Sequence, residues 1–228
     1  MTKIRDKLQI IGAKVKKTAQ EYQRKTDDIQ LLAVSKRHSI GAIQTAFDAG
    51  QKCFGENYVQ ELVEKAQTLS KLDISWHFIG PLQSNKTKQI AEIASWVHTV
   101  DRFKIAQRLN NQRPEDLAPL SVCIQINISG EASKSGVSVD ELEELAKKIV
   151  KLPHLRLRGL MVIPAPSDDF ESQRATFAKV SKIKDTLNQQ GYNLDTLSMG
   201  MSGDMKAAIA EGATIVRIGT AIFGARDV

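Results

Sequence analysis

Short apolar runs alternate with helix-like segments along almost the whole chain, and this rhythm restricts the fold more than any other feature of the sequence. Strand-like runs occur at residues 31–36 (LLAVSK), 52–55 (KCFG), 74–80 (ISWHFIG), 96–100 (WVHTV), 120–128 (LSVCIQINI), 155–163 (LRLRGLMVI), 196–200 (TLSMG) and 214–219 (TIVRIG). Between them lie helix-like stretches such as SIGAIQTAFDAG, ENYVQELVEKAQTL and SVDELEELAKKIVKL. Ser39 and Ser138 stand where N-caps belong, Gly50 closes the first of these helices, and Asp140, Glu141 and Glu143 put negative charge in a first turn. A strict β-then-α order implies parallel strands joined by right-handed crossovers. Eight such units with no strand left over predict an α/β fold, a single (β/α)8 TIM barrel, rather than an open doubly wound sheet. No G-x-G-x-x-G follows any strand to favour the open sheet.

Ahead of the first strand, Ile4, Leu8, Ile11 and Val15 recur at helical spacing, which predicts an extra N-terminal helix with one apolar stripe. Lys3, Arg5, Lys7, Lys14, Lys16, Lys17, Arg24 and Lys25 crowd the same region, and the chain carries a formal charge of +6. A basic arm for nucleic acid is one reading of that charge. A solvated helix face is the stronger one, because aromatic residues are only 5% of the chain and no RNP-like or zinc-finger pattern accompanies the charge. Cys53 and Cys123 are isolated, forming neither a disulfide framework nor a metal-ligand set, and read as small buried hydrophobes. No linker or composition shift divides the chain, so residues 1–228 are expected to form one domain. With no signal-peptide pattern and no apolar stretch near the roughly 20 residues a bilayer requires, a cytoplasmic location is expected, without membrane contact.

In such a barrel, chemistry collects at the C-terminal ends of the strands. Parity along the first strand sets Leu32, Val34 and Lys36 on one face and Leu31, Ala33 and Ser35 on the other, so Lys36 can point inward at the mouth. A strand-end lysine is ordinarily solvated. Its functional reading is an amine that condenses with a carbonyl, favoured by partial desolvation and by the neighbouring Arg37. The far end of the chain bears on the choice. Residues 198–208 (SMGMSGDMKAA) place Gly200, Ser202 and Gly203 just ahead of a helix, and TIVRIGTAIFG aligns Ile215, Arg217 and Gly219 before a turn at Gly219-Thr220. Both loops suit an anion such as phosphate, although Asp204 adds an opposing charge unless its side chain turns away. An inward lysine with two phosphate loops describes a ligand bearing an aldehyde and a phosphate, and pyridoxal 5'-phosphate (PLP) fits.

AVSKRHS, FGENYVQE, WHFIGPLQSNK, SMGMSGDM and VRIGTAIFG, spread from residue 33 to 224, make the sequence resemble the pyridoxal phosphate homeostasis protein family, whose fold is similar to the N-terminal barrel of alanine racemase. The resemblance implies that PLP is the cofactor and that Lys36 carries it as a Schiff base. It further implies that Arg217 meets the pyridine nitrogen, that Ser202 and the Gly219-Thr220 turn hold the phosphate, and that Asn57 and His77 line the pocket. His98 reads as a core residue, His38 as a loop neighbour of the site, and no histidine has a metal-ligand partner.

Related racemases and decarboxylases carry a second, β-rich domain that supplies a catalytic residue across a dimer interface. None is recognised here, and among Tyr22, Tyr58 and Tyr192 only Tyr58 can lie near the pocket. The expectation is therefore a monomeric PLP-binding protein of vitamin B6 homeostasis, with no catalytic residue of its own and with PLP-recipient apoenzymes as partners. The alternative is a weak PLP-dependent racemase or lyase using Lys36 alone as base.

Overall fold

A computed structural model of the chain describes residues 3–130 and 135–225. Eight strands close into a parallel barrel in sequence order: β1 (Gln30–Val34), β2 (Cys53–Glu56), β3 (Ser75–Phe78), β4 (Trp96–Val100), β5 (Leu120–Gln125), β6 (Leu155–Met161), β7 (Thr196–Ser198) and β8 (Ile215–Ile218). The last strand returns to the first, with Leu32 opposite Arg217 and Ala33 opposite Ile218. Helices α2 (Ile40–Asp48), α3 (Val59–Thr68), α4 (Thr87–Ile93), α5 (Phe103–Gln112), α6 (Val139–Ile149), α7 (Phe170–Gln189) and α8 (Met205–Ala210) each follow a strand, as the alternation predicts. The caps behave as the sequence implies: Ser39 Oγ accepts the Ala42 amide at 3.2 Å and Ser138 Oγ the Glu141 amide at 3.3 Å. Gly50 ends α2 at φ +98°, a conformation that costs any other residue a Cβ clash.

Strand parity sorts the apolar residues into two regions. Leu32, Val34, Ile79 and Ile215 form a small cluster within the barrel, with Cys53 and Trp96 against it. Alternate residues, among them Phe54, Phe78 and Val97, face outward and join Leu62, Ile90, Ile105, Leu109 and Phe177 in the main core between sheet and helices. Burying each such side chain stabilises the fold by roughly 1.5–3 kcal/mol. Cys123 is fully buried, and burial pushes its thiol up to about 12.

The N-terminal helix α1 (Ile4–Glu21) buries Leu8, Ile11, Val15 and Ala19 and packs on α2, α8 and a short α9 (Thr220–Phe223). Lys3, Arg5, Lys14, Lys16, Lys17 and Lys25 are exposed, as expected of a solvated face. Arg24 departs from that pattern and donates to the carbonyls of Ile209 and Ala213. Two local expectations shift. The stretch at 84–93 opens as a 3₁₀ turn (Ser84–Lys86) before α4, and β1 ends at Val34, leaving Ser35 and Lys36 beyond the strand. No helix among the described residues is long and apolar enough to cross a membrane.

Candidate functional site

Lys36, Asn57, Ser202, Arg217, Gly219 and Thr220 are brought together at the C-terminal mouth of the barrel, where they line a cavity of about 290 Å³. A wider cleft of about 550 Å³ adjoins it across Ile163, Met201 and Gly203 and runs along the loop that follows β6. Between Lys36 and the adjoining α2, Arg37 takes φ +59° and points its guanidinium at Tyr58, which is exposed. His38 returns to the cavity, where its ring stacks on Phe223 of α9 at 4.9 Å. The sequence places His38 only as a loop neighbour of the site; its return to the cavity follows the left-handed turn at Arg37, which an arginine does not signal in a sequence.

On the adjacent wall Asn57 follows β2. A Cβ at Gly80 would lie 2.0 Å from the Asn57 carbonyl oxygen, so only glycine lets the chain after β3 pass this close. Asn57 Oδ1 is buried and has no hydrogen-bond partner among the described residues. An orphaned buried acceptor costs about 1–3 kcal/mol. A donor arriving in the cavity would remove that cost.

His77 does not reach the cavity, contrary to expectation. It pairs in register with Gly55, so it lies one inward-facing layer below Asn57 and Ile79, in the closed interior of the barrel. There it stacks on Trp96, with ring centroids 5.5 Å apart. Its Nδ1 meets His98 Nε2 at 2.9 Å, His98 Nδ1 meets Ser198 Oγ at 2.7 Å, and Ser198 Oγ accepts from Arg217 Nη1 at 2.9 Å. Arginine can only donate, so the Ser198 hydroxyl is left to donate to His98 Nδ1. The opposite arrangement, with a proton on His98 Nδ1, would strand the buried hydroxyl proton at a cost of about 1–3 kcal/mol. Both histidines are therefore Nε2–H tautomers, and His77 donates onward to Ser75 Oγ at 3.2 Å. Burial holds both neutral, pulling His77 down to about 3 and His98 well below its ordinary value.

Arg217 ends this chain of side chains. Its guanidinium also donates to the carbonyls of Ser198 at 2.6 Å and Val162 at 2.9 Å. Burial pulls it down to about 10, which leaves it cationic at neutral pH. At the other edge of the cavity Ser202, Gly203 and Thr220 are exposed at two loop-to-helix junctions, where the first amides of a helix have no intrahelical acceptor. Gly219 lets β8 close on β1, since a Cβ there would sit 3.1 Å from the Val34 carbonyl oxygen. Asp204 turns its carboxylate back onto the Met201 amide and lines the neighbouring cleft instead of this cavity. Among the described residues no three His, Cys, Asp or Glu side chains form a group able to hold a metal ion.

A closed eight-stranded parallel barrel with a lysine after β1 and an arginine on β8 in one cavity defines a class, and the family model described as alanine racemase, N-terminal domain, matches residues 10–227. The alanine racemase of Corynebacterium glutamicum shares that fold, with a TM-score of 0.70 at 16% identity, over 96% of this chain and 61% of its own. A protein of Vibrio alginolyticus named pyridoxal phosphate homeostasis protein is 55% identical over 100% of this chain and 99% of its own length. PipY of Synechococcus elongatus PCC7942, solved with PLP bound, is 37% identical with a TM-score of 0.81 and covers 92% of this chain and 99% of its own. The chain belongs to the pyridoxal phosphate homeostasis protein family.

Proposed function

We propose that this chain binds PLP in the cavity at the barrel mouth and holds it for release to other proteins, without a metabolic reaction of its own. The observation that carries the proposal is the donor set. One amine (Lys36), one fixed cation (Arg217) and one buried acceptor without a partner among the described residues (Asn57 Oδ1) share a cavity whose open edge is two glycine-containing loops. PLP supplies an aldehyde, a pyridine nitrogen, a ring hydroxyl and a phosphate. Lys36 would supply the amine that bonds PLP through its aldehyde, whose oxygen would leave as water, and water or a second amine would restore the free Lys36 amine. Arg217 offers a proton donor that keeps its proton, which disfavours protonation of the ring nitrogen and weakens the ring as an electron sink. Asn57 would line the ring edge, while Ser202 and the Gly219-Thr220 turn would meet the phosphate. The relatives' shared name and the PLP in the PipY structure support this reading.

Borohydride reduction of the PLP-loaded protein, followed by peptide mapping, should place the label on Lys36, and Lys36→Ala should lose it while keeping weaker, reversible binding. A label absent from the wild type, or undiminished in Lys36→Ala, overturns the assignment. Loss of α-deuterium from amino acids should run no faster with the loaded protein than with free PLP. A faster loss would make the protein an enzyme.

A further inference from the structure

Three charged side chains from β2 and α3 converge behind the turn that carries Lys36. Lys65 Nζ, almost wholly buried, donates to Glu56 Oε1 at 2.9 Å, to Glu61 Oε2 at 2.8 Å and to the Ser35 carbonyl oxygen at 2.9 Å. Each carboxylate oxygen takes a second bond from the turn itself. The Ser35 hydroxyl donates to Glu56 Oε1 at 2.6 Å, and the Arg37 amide donates to Glu61 Oε2 at 2.8 Å. The two residues held in this way are the immediate neighbours of Lys36, one on each side. Arg37 sits at φ +59°, a conformation that a residue other than glycine keeps only where its surroundings hold it.

As a source of stability this cluster is poorly built. Buried ion pairs are often matched or exceeded by apolar residues of the same volume. Here the second oxygen of Glu56 is buried without a partner among the described residues, and burial has raised its carboxyl to about 7. Apolar side chains could fill the space between β2 and α3. They could not hold one carbonyl, one hydroxyl and one amide at fixed points around a single residue.

We propose that Lys65, with Glu56 and Glu61, is a positioning set for Lys36: one buried ammonium and its two carboxylates clamp Ser35 and Arg37, and thereby aim the Lys36 amine into the cavity. The inference rests on reading Lys36 as the residue that bonds PLP, and it extends the site to three residues outside the cavity lining.

The test separates stability from binding. The double variant Glu56→Gln, Lys65→Met removes both buried charges together. Its midpoint of thermal unfolding should stay at or above the parent's, while its PLP dissociation constant rises at least tenfold and borohydride labelling spreads from Lys36 to other lysines. Glu61→Leu, at a half-buried position, removes the acceptor of the Arg37 amide and one partner of Lys65 while leaving the bonds of Lys65 to Glu56 and Ser35, and should weaken PLP binding about threefold. Trace acetylation with acetic anhydride reads the Lys36 amine without PLP, and its rate relative to the other lysines should change in both variants. Parent-like PLP binding and parent-like Lys36 acetylation in the double variant overturn the proposal. If the double variant does not fold, unchanged values in Glu61→Leu overturn it alone. A wild type that is never labelled by PLP at Lys36 refutes the PLP reading instead, while the acetylation rates still judge the clamp.

Discussion

Replacing Gly80 with alanine tests the idea that the cavity wall is set by main-chain contact. The new Cβ would lie 2.0 Å from the Asn57 carbonyl oxygen, 2.6 Å from its carbonyl carbon and 2.7 Å from its Cα. Real Cβ atoms do not approach within 3.0 Å, so the two segments must separate by about 1 Å. An added methyl in a packed core typically costs about 1–3 kcal/mol, and the upper end applies because the obstacle is backbone, which cannot rotate away. The Gly80 carbonyl also accepts the Thr99 hydroxyl at 2.6 Å, so retreat on that side strains a second contact. At roughly 2–4 °C per kcal/mol for a chain of this size, the unfolding midpoint should fall by about 6–12 °C. PLP affinity, read by fluorescence titration, should fall at least tenfold, since Asn57 moves with its backbone. Gly12→Ala is the control: nothing lies within 4 Å of the methyl it adds, so this exposed position in α1 should gain roughly 0.5–1 kcal/mol. A Gly80→Ala protein with parent-like melting and parent-like affinity would show that the close approach is not what fixes Asn57.

Nitrogen chemical shifts of His77 and His98 should report neutral Nε2–H tautomers that do not titrate from about pH 5 to 8, and an Nδ1–H signal on either would contradict the donor order through Ser198. Ser198→Ala leaves His98 Nδ1 and one Arg217 donor unpaired and should cost about 1–3 kcal/mol in urea unfolding, with a loss below about 0.5 kcal/mol refuting the chain. Acidification from about pH 6.5 to 4.5 should destabilise the fold. Each buried histidine loses about 1.4 kcal/mol per pH unit, because only the unfolded chain takes up its proton; Glu56, raised to about 7, opposes with a similar slope, because only the folded chain keeps its proton. Two histidines against one glutamate leave a net loss of about 1.4 kcal/mol per unit, and denaturant titrations showing stability rising on acidification would refute it. Oligonucleotide binding through the lysines of α1 should be absent at moderate salt, and a steep salt-dependent affinity would restore the nucleic-acid reading.

Strand parity made the inward face of Leu32 and Val34 legible, because a period of two assigns every residue of a strand to one face, whereas Lys36 reaches the cavity from the turn after β1. The same parity put Ile215 and Arg217 on the inside. What parity does not carry is height along the barrel axis, and His77 shows the consequence. It shares a face with Ile79, yet the β2–β3 register levels it with Gly55 and seals it beneath the cavity. Strand tilt and stagger set that height, and they belong to the whole closed sheet rather than to any one strand. The outward face was no easier to interpret. Ser35, Glu56 and Lys65 lie on three separate segments with no motif linking them, and only the packing of α3 over β2 brings them to 2.9 Å or less. Helix α9 was missed because its four residues are too short to show a period.

Closure of β8 onto β1 ties the site to the order of synthesis. Lys36 leaves the ribosome well before Arg217, Gly219 and Thr220, and Leu32 finds its partner Arg217 only when β8 docks. A nascent or truncated chain lacking β8 exposes the lysine but has neither the cation nor the turn that complete the cavity. Assembly of the cavity is thereby coupled to completion of the barrel.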